Sequence, residues 1–267
     1  MIGEDTAGED LRRSIRRFDV SPDLLVSIAD RPTTQKTRVM ASNQQMLRID
    51  HEEWSAVPEW TEEQVLERVA RELPDTDAVI LSDYRKGMLS GTLPTRILQL
   101  ARQANLPVIT DSKARRYAPF QGSLITPNRM EAELATGLSI HDAASLAKAG
   151  ALLRDQTGRE MPVLITLGSE GIALFDGQED GKPEIIPAIS TSVYDVTGAG
   201  DTVVSTLALA LASGWPVRES VILANYAAAV VVREAGTAVC TPEKLQAMIE
   251  ESREVWDIFV TARQGRV

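Results

Sequence analysis

Residues 195–201 read DVTGAGD, and the apolar run VVSTLALALA fills 203–212. Two glycines and two aspartates stand in seven residues, just ahead of a segment with the length and composition of a buried helix. A surface turn uses such residues, and so does a loop that holds an anion and removes a proton. Glycine reaches backbone conformations closed to other residues and lets a ligand approach the main chain. A helix opening at Gly200 offers unpaired N–H groups and the positive end of its dipole. Together these can hold the oxygens of a phosphate. Asp201 falls in the first turn, where its carboxylate either accepts the proton of an attacking hydroxyl or only starts the helix. The residues alone leave both readings open. The loop is not a Walker A sequence, and no GxGxxG follows a strand, so dinucleotide binding has little support.

Working outward, short apolar runs alternate with amphipathic segments from Asp77 onward: DAVILSDY, TLPTRILQLARQAN, PVITDSK, SLITPN, a helix over Arg129 to Thr136, another over Ile140 to Gln156, then PVLITLGSEG. This rhythm predicts right-handed βαβ crossovers and a mostly parallel sheet. IALFDG and EIIPAI read as an antiparallel pair of strands. The C-terminal third predicts helices over Gly200 to Ala212, Val217 to Glu234 and Pro242 to Val255. Before Asp77, a short helix is expected over Gly8 to Arg17. Short strands with turn signals at Asp30-Arg31-Pro32 and Ser42-Asn43 follow. A further helix is expected over Thr61 to Leu73, with Thr61 and Gln64 as a capping box.

Composition sets the class. The chain has 267 residues, 43% hydrophobic and 25% charged, as an ordinary globular protein has. A net charge of −10 argues against a nonspecific nucleic-acid surface. The single cysteine, Cys240, permits no internal disulfide, and a cytoplasmic location is expected. No run of about 18 apolar residues predicts a membrane span, and the acidic start MIGEDTAGEDLRR does not read as a signal peptide. His51 and His141 read as structural or surface residues. No linker or repeat divides the chain, so one domain over 1–267 is expected.

In an open parallel sheet, ligands bind beyond the carboxyl ends of the strands. The predicted strands end in Ser82-Asp83, Asp111-Ser112-Lys113, Pro127-Asn128 and Thr166-Leu167-Gly168. Four polar or glycine-rich tips on one edge favour a cleft there.

DVTGAGD with its apolar helix resembles the C-terminal signature of the ribokinase-like (PfkB) carbohydrate kinases. TPNRMEAE is similar to that family's Asn-x-x-Glu element, TLGSEG to its Thr-x-Gly-x-x-Gly element, and ILANYAAAVVVREAGT to the segment along the nucleotide base. NQQMLRID, VILSDYRKG and the DSK tip most resemble the kinase domain of ADP-heptose synthesis, a supplier of lipopolysaccharide core precursors. That kinase phosphorylates D-glycero-β-D-manno-heptose 7-phosphate at O1. The resemblance covers nearly all of residues 1–255.

It implies a three-layer α/β/α sandwich, with lid-like strands over about 20–50 that pair between subunits into a homodimer. Asp201 is then the catalytic base, and the backbone of Gly198, Ala199 and Gly200 the anion hole. Asn128, Arg129, Met130 and Glu131 line the ATP phosphates, with Asn128 and Glu131 organising Mg2+ through water. Thr166, Gly168 and Gly171 contact ATP, and Asn225 lies by the adenine. Asp195 and Thr197, with the loop near Gly236, imply a site for a monovalent cation such as K+. Lys113, and less strongly Arg48, Asp83 and Lys86, are candidates for the sugar phosphate. The expected partners are ATP and a sugar phosphate, with neither nucleic acid nor membrane.

The family normally opens with a strand bearing a sugar-binding aspartate and a Gly-Gly-x-x-x-Asn segment. This sequence begins at a point resembling the region just after them, so an N-terminally truncated fold is expected. Nothing after Thr241 resembles a nucleotidyl-transfer motif. Two alternatives stay open: a kinase of the same fold acting on another sugar or a nucleoside, and an inactive nucleotide-binding module.

Overall fold

The computed structural model describes residues 1–41, 44–177, 181–189 and 192–261. The chain divides into two compact units, Met1–Pro74 with Asp83–Ile97, and Asp75–Ser82 with Leu98–Val267.

The first unit opens with β1 (Ile2–Gly3), α1 (Thr6–Arg16) and β2 (Ser27–Ile28), and β1 pairs in parallel with β2. Asp5 caps α1 by accepting the N–H of Gly8 at 2.8 Å, and its other oxygen accepts the N–H of Thr33 at 2.8 Å. The Thr33 hydroxyl in turn accepts the N–H of Gly3 at 2.8 Å. One carboxylate thus ties the helix start to a segment far along the chain. β3 (Gln35–Ala41) and β4 (Gln44–His51) form a separate antiparallel hairpin. The turn expected at Ser42-Asn43 lies outside the described residues.

α2 spans Glu59–Glu72. The expected capping box at Thr61 is absent: Pro58 is the N-cap, and Thr61 is fully buried one turn in, its hydroxyl without a partner. Proline's fixed φ and missing N–H suit a helix start, so the helix opens earlier than the polar residue suggested. Arg31, only 8% exposed, staples this unit. Its guanidinium donates to the carbonyls of Ser55 (3.0 Å), Glu53 (2.9 Å) and Lys86 (2.5 Å).

The main sheet has six strands: β5 (Val79–Asp83), β6 (Val108–Ser112), β7 (Leu124–Ile125), β8 (Val163–Thr166), β9 (Ile172–Phe175) and β10 (Glu184–Ile186). Their order is β10-β9-β8-β7-β6-β5. β6, β7 and β8 are parallel and β9–β10 is antiparallel, as the sequence pattern predicts; β8–β9 is antiparallel as well, a reversal the sequence pattern does not indicate. α3 (Leu93–Gln103), α4 (Arg129–Thr136) and α5 (Ala143–Thr157) occupy the crossovers; α6 (Ala199–Ala212) and α7 (Val217–Val231) follow the sheet. The expected last helix is two, α8 (Pro242–Glu251) and α9 (Arg253–Thr261), broken at Ser252.

Strand alternation makes the layers. Leu164 and Leu174, both fully buried, point into one core with Leu207 of α6 and Val221 and Tyr226 of α7. Val163 and Phe175, opposite each other in register, point the other way, and the Phe175 ring fills the space beside Gly150 of α5. Burying each such side chain contributes about 1.5–3 kcal/mol. On α6, Val203, Val204, Leu207, Ala208 and Ala210 are buried, which accounts for much of VVSTLALALA, while Leu209 is exposed.

Candidate active site

The DVTGAGD loop ends where α6 begins. Gly198 is the N-cap in a left-handed conformation (φ +83°), and no side chain caps the helix. An L side chain at this φ is strained, so glycine is needed to turn the chain here. The Gly198 carbonyl accepts both the N–H and the hydroxyl of Thr202, each at 2.9 Å. The Ala199 N–H donates to the Val196 carbonyl at 3.2 Å. A Cβ placed at Gly198 or Gly200 would meet nothing within 4 Å, so the space beside this helix start is open. Asp201 is exposed in the first turn.

A pocket of about 320 Å³ adjoins it. Thr166 and Gly168 from the end of β8, Ala199 and Gly200 from α6, and Asn225 from α7 all line it. Gly171 lines it too, for a second reason. At φ +102° its Cβ would stand 2.1 Å from the Ile186 carbonyl oxygen, so only glycine lets the exit of β10 lie this close. Asn225, 6% exposed, donates its amide N–H to the Pro187 carbonyl at 2.7 Å and holds the same exit. Ala188 and Ile189, just beyond, thereby become pocket wall.

Asn128 and Glu131 form a reciprocal capping box at the start of α4, with both bonds at 2.9 Å. Asn128 also bridges Thr166 in parallel, and the Thr166 N–H donates to the Pro127 carbonyl at 2.9 Å. That bridge brings the Asn-x-x-Glu element beside the pocket-lining end of β8. Arg129 donates to the Ile140 carbonyl at 2.9 Å and pairs with Glu170, while Met130 is 64% exposed. The Asn128 and Glu131 side chains offer only oxygen acceptors beyond the amide, which suits a hard divalent cation reached through water.

Asp195 gathers its own group. One carboxylate oxygen accepts the N–H (2.9 Å) and hydroxyl (2.7 Å) of Thr197, and the other accepts the Gly236 N–H at 3.0 Å. The three positions singled out for a monovalent cation are thus in contact, with oxygen donors that fit one.

The four sugar-phosphate candidates do not line this pocket. Asp83, 7% exposed, ends β5 and accepts the Arg85 N–H at 2.8 Å. Lys113 is exposed directly after β6. Arg48 and Lys86 belong to an ion-pair ladder on the first unit. Arg48 grips both oxygens of Asp50 at 2.9 Å, Lys36 contacts Asp50 (3.0 Å) and Glu52 (2.9 Å), and Lys86 contacts Glu52 at 2.5 Å. Lys86 also stands 3.2 Å over the Trp54 ring. The Lys36 hydrogen bond first, then Arg48, hold the Asp50 carboxyl below its ordinary range, and Lys86 leads in doing the same to Glu52. Lys36 is correspondingly raised, chiefly by Glu52.

Sequence reasoning missed much of the pocket wall. One signal was available on α7: Asn225, Ala228, Ala229 and Val232 recur at i, i+3, i+4 and i+7, a single helix face, and all four line the pocket. Val193 and Val196 gave no comparable periodicity. No described helix is long and apolar enough to cross a membrane.

Known proteins resemble this chain over most of its length. The bifunctional protein HldE of Wolinella succinogenes is 42% identical over 255 residues, covering 95% of this chain and 53% of that protein. The chain therefore spans about half the length of the curated relatives it matches. Arabidopsis thaliana ribokinase, solved with ribose and ATP, superposes with a TM-score of 0.71 at 21% identity, over 93% of this chain and 80% of that one. Escherichia coli phosphofructokinase-2, solved with potassium, gives 0.74 at 18% identity, over 94% and 80%. At such identities the likeness establishes the fold, which is ribokinase-like. A model described as the pfkB family of carbohydrate kinases matches residues 1–244, and this chain belongs to that family.

Proposed function

We propose that this chain transfers the γ-phosphoryl group of ATP to O1 of D-glycero-β-D-manno-heptose 7-phosphate, giving the 1,7-bisphosphate and ADP. The observation that carries the reading is the uncapped start of α6, with Asp201 in its first turn and Ala199 and Gly200 on the pocket wall. Family membership and the likeness of NQQMLRID, VILSDYRKG and DSK to the heptose kinase support the choice of sugar.

The roles follow from chemistry. ATP lies with its base against the apolar face of α7 and its phosphates toward Gly168 and Gly200. The acceptor hydroxyl attacks the γ-phosphorus, the bond to the β,γ-bridging oxygen breaks, and Asp201 takes the hydroxyl proton. First-turn N–H groups of α6 offset the charge on the transferring group. Mg2+, held through water by Asn128 and Glu131, would neutralise charge on the phosphates. K+ at Asp195 and Thr197 would steady the loop that ends in Asp201. Apolar walls such as Ile189 and Val203 exclude water, which limits wasteful hydrolysis of ATP.

We read the two units as parts of one cytoplasmic kinase, the hairpin β3–β4 serving as lid. Its exposed apolar side chains Val39, Leu47 and Ile49 suit pairing with a second copy of the chain. ADP release is the test, measured with and without heptose 7-phosphate, for the wild type and Asp201→Asn. Sugar-dependent release that the variant loses is expected. Release unaffected by Asp201→Asn would overturn the assignment of the base. Tight ATP binding with no turnover on any sugar would favour a nucleotide-binding module instead.

A further inference from the structure

We propose that Arg129 and Glu170 form a strut that holds the turn Gly168–Gly171 in the shape the nucleotide pocket needs. Arg129 is then a positioning residue that acts through the turn. The inference rests on the nucleotide reading above and deepens it. Gly168 and Gly171 open and close the turn at φ +63° and +102°, and with Ser169 they line the pocket. Two glycines make such a turn possible and also leave it many other conformations. Its own bonds hold it only in part. The Leu167 N–H donates to the Gly171 carbonyl at 2.8 Å. The Gly171 N–H reaches the Gly168 carbonyl at 3.1 Å, and the Glu170 N–H reaches that of Leu167 at 3.3 Å, longer than the usual value of about 2.9–3.0 Å. No side chain caps the 3-10 turn Gly168–Glu170.

Arg129 supplies the missing support. One guanidinium nitrogen donates to the Ile140 carbonyl at 2.9 Å, and the other pairs with the Glu170 carboxylate. Ile140 is a fixed anchor. It is 4% exposed, and its own N–H donates to Glu133 at 2.7 Å. Arg129 is also the first residue of α4, whose start is set by the capping box. The guanidinium therefore spans from a buried backbone carbonyl to the one acidic side chain of the turn. With the Asn128–Thr166 bridge, the segment from Thr166 to Gly171 is tied to the start of α4 at two points. Only a planar fork with separate nitrogens holds both partners at once; a lysine ammonium is a single point charge. The Glu170 side chain is exposed, and an exposed ion pair adds little to global stability. Its effect is on the shape of the turn.

The test measures Kd for ATP with Mg2+, and amide hydrogen exchange without nucleotide. It compares the wild type with Arg129→Lys, Glu170→Gln and the double variant. Arg159→Gln, an exposed arginine paired with Asp155, is the control. Arg129→Lys keeps the charge and loses the fork, so a strut and a simple charge effect part company there. Kd should rise about threefold or more in Arg129→Lys and in Glu170→Gln. The double variant should bind no more weakly than the weaker single, because both changes remove one tie. The amides of Glu170 and Gly171 should exchange about threefold faster or more in all three. That of Ala132, bonded to the Asn128 carbonyl inside α4, should keep its wild-type rate. Arg159→Gln should match the wild type throughout. Wild-type affinity in Arg129→Lys, or tighter binding in Glu170→Gln, would make the pair a matter of charge and overturn the proposal, as would additive losses in the double variant. If the wild type binds no ATP, the nucleotide reading falls by itself and exchange alone judges the strut: unchanged rates at Glu170 and Gly171 in the variants would sink it.

Discussion

The carboxylate of Asp195 accepts the backbone N–H of Gly236 at 3.0 Å, across 41 residues of chain. Its other oxygen holds Thr197. One side chain therefore binds the approach to Gly198 and Asp201 to the segment that follows α7. In Asp195→Asn, the amide has one acceptor oxygen where three donors need two. The loop should loosen, with kcat falling about tenfold or more and any difference in turnover between K+ and Na+ buffers shrinking. Wild-type kcat in the variant would show that this tie does not set the geometry of Asp201.

Gly171→Ala should be among the most damaging single-methyl changes in the chain. The added carbon would stand 2.1 Å from the Ile186 carbonyl at φ +102°, with backbone on both sides of the clash. We expect about 2–4 kcal/mol of lost stability, seen as a lower urea midpoint, together with weaker ATP binding as the pocket wall at Ala188 and Ile189 shifts. A variant as stable as the wild type would mean the β9–β10 exit yields easily.

Arg31→Met keeps the volume and removes the donors. The carbonyls of Glu53, Ser55 and Lys86 then lose their shared partner. A cost of about 2–4 kcal/mol is expected, and it should be local: hydrogen exchange should quicken around 53–55 and 86 before it does in the six-stranded sheet. Uniform protection across both units would argue that Arg31 is not the staple.

Asp5 carries a pH dependence. The hydroxyl and N–H of Thr33, then the N–H of Gly8, hold its carboxyl below the ordinary range. The folded state therefore binds this proton less readily than the unfolded chain. Its contribution is complete above the unfolded value, near about 4, and disappears as pH falls through the lower folded value. Asp5→Asn keeps one acceptor and cannot titrate. Urea midpoints should show the variant less stable at pH 7, with the difference closing as the medium becomes acid. A constant difference down to pH 2 would contradict the sign.

What the chain reveals when read residue by residue depends on how local each cause is. Asn128 and Glu131 three apart announce a helix start through bonds that need no distant partner, and α4 spans Arg129–Thr136 as expected. The glycines of DVTGAGD likewise mark a turn into α6. The opening of α2 was misplaced because Thr61 has the right chemistry for a cap while Pro58 has the right backbone. The continuous helix expected to Val255 breaks at Ser252, where no Gly or Pro gives warning. Arg31 was invisible as a staple, since its partners lie more than 20 residues away. That Arg38 stands opposite Arg48 follows only from the hairpin register, which no single strand encodes. Four of the proposed site residues, Arg48, Asp83, Lys86 and Lys113, were chosen by resemblance, and their surroundings became legible only in three dimensions.

Every residue that lines the pocket falls between Thr166 and Val232. That quarter of the chain carries the end of one strand, a hairpin and two helices in unbroken succession. A cavity wall built from a single contiguous stretch can pass intact through evolution while other segments diverge around it. It also gives a natural boundary for recombination. Substitutions elsewhere in the chain can then accumulate without touching any residue that lines this cavity.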